Sequence, residues 1–248
     1  MIAAQNLRTT RTGRDDLSCE GAHGNLLTVF RFRPAESLKP GQSLFFEGDP
    51  AKHVFAVLEG NLRICRMLPD GRRVIAGFIQ AGDIIGVSFK SHHLYSVEAI
   101  NDVRFRRITR KAFDEELEVT PSLRPAVLTS LCDEIAAAQD QMVLLSCKNA
   151  EERLCSFLVK QLQLEHACGQ PQGVIRLPMT RLDIADYLGM TIETVSRTMT
   201  KLIGKGIVEP MGRRGIKVLS RASLAHLAGD EDEYHADNIV AFNAAIRH

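Results

Sequence analysis

The stretch Thr180–Leu202, TRLDIADYLGMTIETVSRTMTKL, reads as a helix, a tight turn and a second helix. Thr180 with Asp183 is the Thr-x-x-Asp form of a capping box, so a helix starts there. Ile184, Ala185 and Leu188 give it an apolar stripe at helical spacing. Gly189 then stops it, because glycine takes the left-handed backbone at no steric cost. Thr191 caps the next helix, whose predicted core face is Ile192, Val195, Met199 and Leu202. Offset round the axis lie Glu193, Ser196, Arg197 and Thr200, spaced i, i+3, i+4, i+7. A short polar row at the start of a second helix is what a recognition helix needs to reach base edges in the major groove.

Helix pairs joined through glycine also occur in proteins that bind no nucleic acid, where such a row only faces solvent. The residues that follow favour DNA. Ile207-Val208-Glu209-Pro210, Met211-Gly212-Arg213-Arg214-Gly215 and Ile216-Lys217-Val218-Leu219 read as strand, glycine-bounded turn and strand. This is a wing with two arginines at its tip, suited to phosphate. From Thr180 to Lys217 there are seven Lys/Arg against four Asp/Glu, a local excess hidden in a chain whose formal net charge is +1.

Working outward, the 248 residues allow one large domain or two modest ones with ample core. A net charge of +1 excludes a generally basic coat protein. No apolar run approaches the roughly 18 residues that span a bilayer, and the N-terminal MIAAQNLRTTRTGRDDLS lacks a signal-peptide core, so a cytoplasmic protein without a membrane partner is expected. Residues 1–27 read as a flexible N-terminal segment. Residues 28–120 carry short apolar runs punctuated by glycines, with a hairpin signal at Leu68-Pro69-Asp70-Gly71, and predict a small jelly-roll or barrel.

The period then switches. In residues 121–147, Leu128, Leu131, Ile135, Ala138, Met142 and Leu145 follow alternating three- and four-residue steps, an a/d seam that pairs with its copy in a homodimer or packs on its own barrel. Residues 148–221 hold a further amphipathic helix with Leu154, Phe157, Leu158, Leu162 and Leu164 available for its core, and then the winged helix–turn–helix. Residues 222–248 form a C-terminal extension with a short helix at Ser223–Leu227 and an acidic run at Asp230–Glu233. The predicted class is α+β: an N-terminal jelly-roll, a long dimerisation helix and a C-terminal winged helix–turn–helix domain.

Six cysteines are scattered without a Cys-x-x-Cys pair, which argues for free thiols rather than disulfides or a metal cluster. Cys155 and Cys168, near the junction of the domains, are candidate redox positions, although buried inert cysteine is the commoner case. Jelly-rolls also host metal-dependent catalysis, as in cupin-like enzymes. His92 and His93 are adjacent, however, and would point to opposite faces of a strand, while His53 stands alone.

The order of elements resembles the Crp/Fnr family of bacterial transcription regulators, from about Thr28 to Arg221. The likeness is carried by Gly41, Glu47-Gly48-Asp49, Gly60, Gly82-Asp83 and Gly86 in the barrel, and by Asp186-Tyr187-Leu188-Gly189 and Glu193-Thr194-Val195-Ser196-Arg197 in the helix–turn–helix. The resemblance implies a barrel like those that bind cyclic nucleotides. Members that do so follow Gly86 with Glu-Leu and place an Arg-Ser pair further on; here Val87-Ser88 and His93-Leu94-Tyr95 stand instead. Oxygen-sensing Fnr proteins cluster cysteines near the N-terminus to hold an iron–sulfur cluster, and only Cys19 is present here. This combination is similar to the FixK subgroup, which implies an activator of low-oxygen and nitrogen-fixation genes that needs no cofactor. It also implies a homodimer on a TTGAT-like inverted repeat in double-stranded promoter DNA, with RNA polymerase as a further partner. A ligand- or redox-gated sensor of the same family is the alternative. Glu193, Ser196 and Arg197 are expected to read bases, with Arg197 on a guanine and Glu193 on a cytosine of the opposite strand. Thr180, Arg181, Thr191, Thr200, Arg213 and Arg214 are expected at the phosphate backbone.

Overall fold

The computed structural model describes residues 24–87, 90–167 and 173–229. A short helix α1 (Gly24–Leu27) leads into eight strands: β1 (Ala35–Leu38), β2 (Ser43–Phe45), β3 (His53–Glu59), β4 (Leu62–Met67), β5 (Arg73–Ile79), β6 (Ile84–Ile85), β7 (Ser96–Ala99) and β8 (Val103–Thr109). They form two four-stranded sheets in the orders β1-β8-β3-β6 and β2-β7-β4-β5. The expected hairpin at Leu68–Gly71 joins β4 to β5, with the Leu68 amide donating to the Arg72 carbonyl at 2.8 Å. Gly60 turns β3 into β4 with φ +90°, and a Cβ there would lie 2.3 Å from the Asp102 carbonyl oxygen, so glycine is a steric requirement.

Successive side chains of a strand point to opposite faces, so a strand buried on both reads as an unbroken apolar run. Strand β3 is such a case. Phe55 and Val57 join Phe45, Leu62, Ile79, Val97 and Phe105 inside the barrel, whereas Val54 and Ala56 face an outer layer with Ile108, Phe113 and Val127. That outer layer also buries Leu26, Leu27 and Phe30. The barrel unit therefore begins earlier than the expected boundary at residue 28, because two leucines just before it have an apolar layer to cover.

Helix α2 (Arg110–Val119) and a 3-10 turn at Pro121–Leu123 lead to α3 (Arg124–Cys147). At 24 residues α3 is about 36 Å long. Its predicted seam divides. Leu128, Ile135 and Met142 are 62%, 59% and 65% exposed, while Leu131 leans on the outer layer of the barrel and Leu145 approaches Gly189. Ala138 is exposed between them.

Helix α4 (Ala150–Ala167), β9 (Val174–Arg176), α5 (Arg181–Leu188), α6 (Ile192–Gly204), β10 (Val208–Met211), β11 (Gly215–Val218) and α7 (Arg221–Ala228) complete the chain. Strands β10, β11 and β9 form an antiparallel three-stranded sheet in that order. Leu154, Phe157, Leu158 and Leu162 of α4 are buried as expected, and Leu164 is half-buried. The expected boundary at residue 221 is overturned in one respect: Leu224 and Ala228 of α7 are fully buried in the same core, so α7 belongs to the winged domain. Two apolar residues four apart on so short a helix need a neighbour to bury them, and α4 is that neighbour.

Candidate nucleic-acid interface

Both helices of the pair start as the sequence predicts. The Thr180 hydroxyl accepts from the Asp183 amide at 3.1 Å and the Asp183 carboxylate accepts from the Thr180 amide at 2.9 Å, a complete capping box. Gly189 closes α5 in the left-handed conformation at φ +61°. Thr191 caps α6 by accepting from the Thr194 amide at 3.2 Å. Val195, Met199 and Leu202 are buried against α4 and α5, so the opposite side of α6 is turned outward. On it Glu193, Arg197 and Thr200 are exposed and Ser196 is half-buried. Ile192, expected in the core, is 39% exposed, whereas Val195 in the same turn is fully buried.

The electrostatics of this row suit base reading. The Glu193 carboxyl is held below the usual carboxylate range by its own backbone amide, then by the Thr191 hydroxyl, with the nearby Arg197 charge adding to both. It is therefore an ionised acceptor at neutral pH, the form that accepts a hydrogen bond from a cytosine amino group. Lys201 of α6 and Lys205 just past its end turn back to pair with Glu151 of α4, the latter at 3.0 Å. The row that faces outward is shorter than the local charge count implies.

The wing and the start of α5 converge beside α6. Thr180, Arg181, Arg213 and Arg214 line one cleft of about 230 Å³ floored by Ile184, Val195 and Met199. Gly212 opens the turn at the wing tip, φ +65°, and leaves Arg213 and Arg214 exposed. Of the hydroxyls assigned to phosphate, Thr180 already donates to Asp183 at 2.8 Å and Thr200 to the Ser196 carbonyl at 3.0 Å. Arg181 and the wing arginines are the stronger donors in the cleft.

Other candidates fall out of the interface. Cys155 is completely buried, and burial pushes its thiol up to about 12, which opposes the redox role considered for it. Cys168 lies outside the described residues. His92 is exposed and His93 buried, and among the described residues no group of three metal-binding side chains forms. Among those residues no helix is long and apolar enough to cross a membrane.

Sequence pattern missed what holds α5. Its carboxylates Asp183 and Asp186 meet Arg63 and Arg73 of the barrel, and its last carbonyls, of Tyr187 and Leu188, accept from Gln141 and Arg153. No local spacing signals such pairs, which join residues as much as 120 positions apart.

A small β-barrel joined through a long helix to a winged helix–turn–helix with a capped, outward-facing reading row defines a DNA-binding transcription regulator. Residues 152–227 match the Crp-like helix-turn-helix domain and residues 35–119 the cyclic nucleotide-binding domain. The chain belongs to the Crp/Fnr family. It is 38% identical to the nitrogen fixation regulation protein FixK of Bradyrhizobium diazoefficiens, over 76% of this chain and 79% of that one. It is 39% identical to the transcriptional activatory protein AadR of Rhodopseudomonas palustris, over 66% of this chain and 68% of that one. The structure of FixK2 from Bradyrhizobium japonicum superposes with a TM-score of 0.74 at 32% identity, covering 79% of this chain and 96% of that one. These relatives are regulators and not enzymes, and so is this chain.

Proposed function

We propose that the protein is a cytoplasmic, homodimeric transcription activator of the FixK type, which reads a TTGAT-like inverted repeat and recruits RNA polymerase at low-oxygen and nitrogen-fixation promoters. The observation that carries this reading is the row Glu193, Ser196, Arg197 on the outward side of α6, beside a cleft with three arginines. Arg197 forks onto guanine O6 and N7 while Glu193 accepts from a cytosine on the other strand. Ser196 touches a thymine methyl or the backbone nearby. Arg181, Arg213 and Arg214, with the helix starts at Thr180 and Thr191, grip phosphates and set the register without reading sequence. The names of the FixK and AadR relatives support activation and the link to nitrogen fixation.

Dimerisation is supported by the apolar stripe on α3. Leu128, Ile135 and Met142 repeat every seven residues and are each more than half exposed, a pattern that a second copy covers. Two copies then present their reading helices about 34 Å apart, one turn of duplex.

The barrel interior supports activity without a cyclic nucleotide. Where nucleotide-binding members carry the arginine for the cyclic phosphate, His93 lies stacked on Phe45 at 3.6 Å between ring centroids. Burial, partly offset by Asp49, holds the His93 ring below its ordinary value, so it offers no cation at neutral pH. Phe55 and Tyr95 pack on Phe45 from other sides. These residues do not fit the nucleotide. Selection of bound duplexes from a random pool by the purified, unliganded protein tests the whole reading. Enrichment of paired TTGAT-like half-sites is expected, and enrichment of single or unrelated sites would sink it.

A further inference from the structure

The first helix of the DNA-reading pair is gripped by the barrel. The Asp183 carboxylate is 1% exposed and splits its two oxygens. One accepts from the Thr180 amide and hydroxyl to cap α5. The other accepts from Arg63 of β4 at 3.0 Å and from Arg73 of β5 at 2.8 Å. Arg73 also reaches Asp186, one turn along α5, at 2.8 Å, and Arg63 is itself held by Glu98 of β7 at 2.6 Å. Beside this cluster Phe78 of β5, Phe157 of α4 and Tyr187 of α5 form a ring triangle with centroids 5.3 to 6.3 Å apart. Cys65 and Ile75 of the same hairpin are buried in the core of the winged domain. At its other end α5 is tied to α3 through Gln141, whose side-chain amide donates to the Tyr187 carbonyl at 2.6 Å.

We infer that Arg63 and Arg73 are positioning residues for DNA recognition: they lock the helix–turn–helix to the β4–β5 hairpin and thereby set the half-site spacing that the dimer accepts. The inference rests on the dimeric reading proposed above. Burying charges costs nearly as much as their attraction returns, so an apolar contact would hold α5 here as well. What two guanidinium groups add is direction, each placing one N–H on the same Asp183 oxygen and spreading its other donors to a second carboxylate, Glu98 for Arg63 and Asp186 for Arg73. They fix the rotation of α5 against the sheet, and α6, packed on α5 through Val195, Met199 and Leu202, follows it. The Gln141 bond refers the same helix to α3, the element on the proposed two-fold axis. Adding one base pair between half-sites turns the second by about 34° and moves it by about 3.4 Å. A locked head cannot follow that displacement and a loosened head can.

The test uses the full-length protein and inverted repeats at the preferred spacing and at one and two base pairs more, read by fluorescence anisotropy. The variants are Arg73→Ala and Asp186→Asn, the second keeping side-chain shape should the first fold poorly. Each is expected to bind the preferred spacing on the order of ten-fold more weakly, and its discrimination against the longer spacers is expected to shrink by a similar factor. The penalty for replacing the guanine read by Arg197 is expected to stay at its wild-type value, and Arg73→Lys to recover part of the spacing preference. Unaltered discrimination in both variants, or equal loss at every spacing, overturns the inference and leaves the DNA-reading assignment standing. A wild-type protein with no preference for paired half-sites overturns the dimeric reading and the inference with it.

Discussion

His93 lies flat on Phe45, ring planes 12° from parallel, in the interior of a barrel whose relatives include nucleotide binders. The stack gives the barrel a pH signature. Burial holds the folded His93 below the ordinary value of 6.5, so the unfolded chain takes up a proton first as pH falls. The stability that His93 contributes is complete above 6.5 and is lost as pH drops toward its folded value. His93→Phe keeps an aromatic ring on Phe45 and removes the titration. Its melting temperature is expected to fall less than that of the wild type between about pH 7.5 and about pH 5.5. Parallel curves for the two proteins would contradict this account.

Arg197→Ala removes one bidentate fork to a base. A loss of about 1–3 kcal/mol in affinity is expected on the cognate repeat, with relaxed selectivity at a single base pair. Equal loss on cognate and scrambled duplexes would show that Arg197 reads no base.

Arg213→Ala removes a cation at the wing tip. Binding is expected to weaken evenly across sequences, and the slope of log affinity against log salt to flatten by about one unit. An unchanged slope would take Arg213 off the phosphate backbone.

Ile135→Asp places a charge in the middle of the exposed stripe on α3, where pairing would bury it twice without a partner. Monomers are expected in sedimentation, with the barrel and winged domain still folded, since Ile135 is 59% exposed in the single chain. A stable dimer of this variant would remove the stripe from the interface.

Much of this protein was legible from short-range pattern. Capping at Thr180 and Thr191, the stop at Gly189, the wing glycine Gly212 and the hairpin at Leu68–Gly71 all rest on backbone rules acting over three or four residues. The burial of Val195, Met199 and Leu202, and hence the outward side of α6, follows from helical period alone. The same rules failed where neighbours decide. Leu26 and Leu27 looked like the end of a loose segment, and Leu224 and Ala228 like part of a tail, yet each pair fills a layer built by distant elements.

Period and capping, being local, were sufficient to place the helix pair with its outward polar row and the heptad-spaced apolar residues of α3. They could not say that Leu131 and Leu145 of that seam turn toward their own chain, or that Cys155 is sealed in a core. Nor could they join Arg63 and Arg73 to Asp183 across 120 and 110 residues. Those outcomes depend on which surfaces meet once the chain has folded. A carboxylate that caps its own helix looks the same in sequence whether its second oxygen faces water or two arginines of another domain.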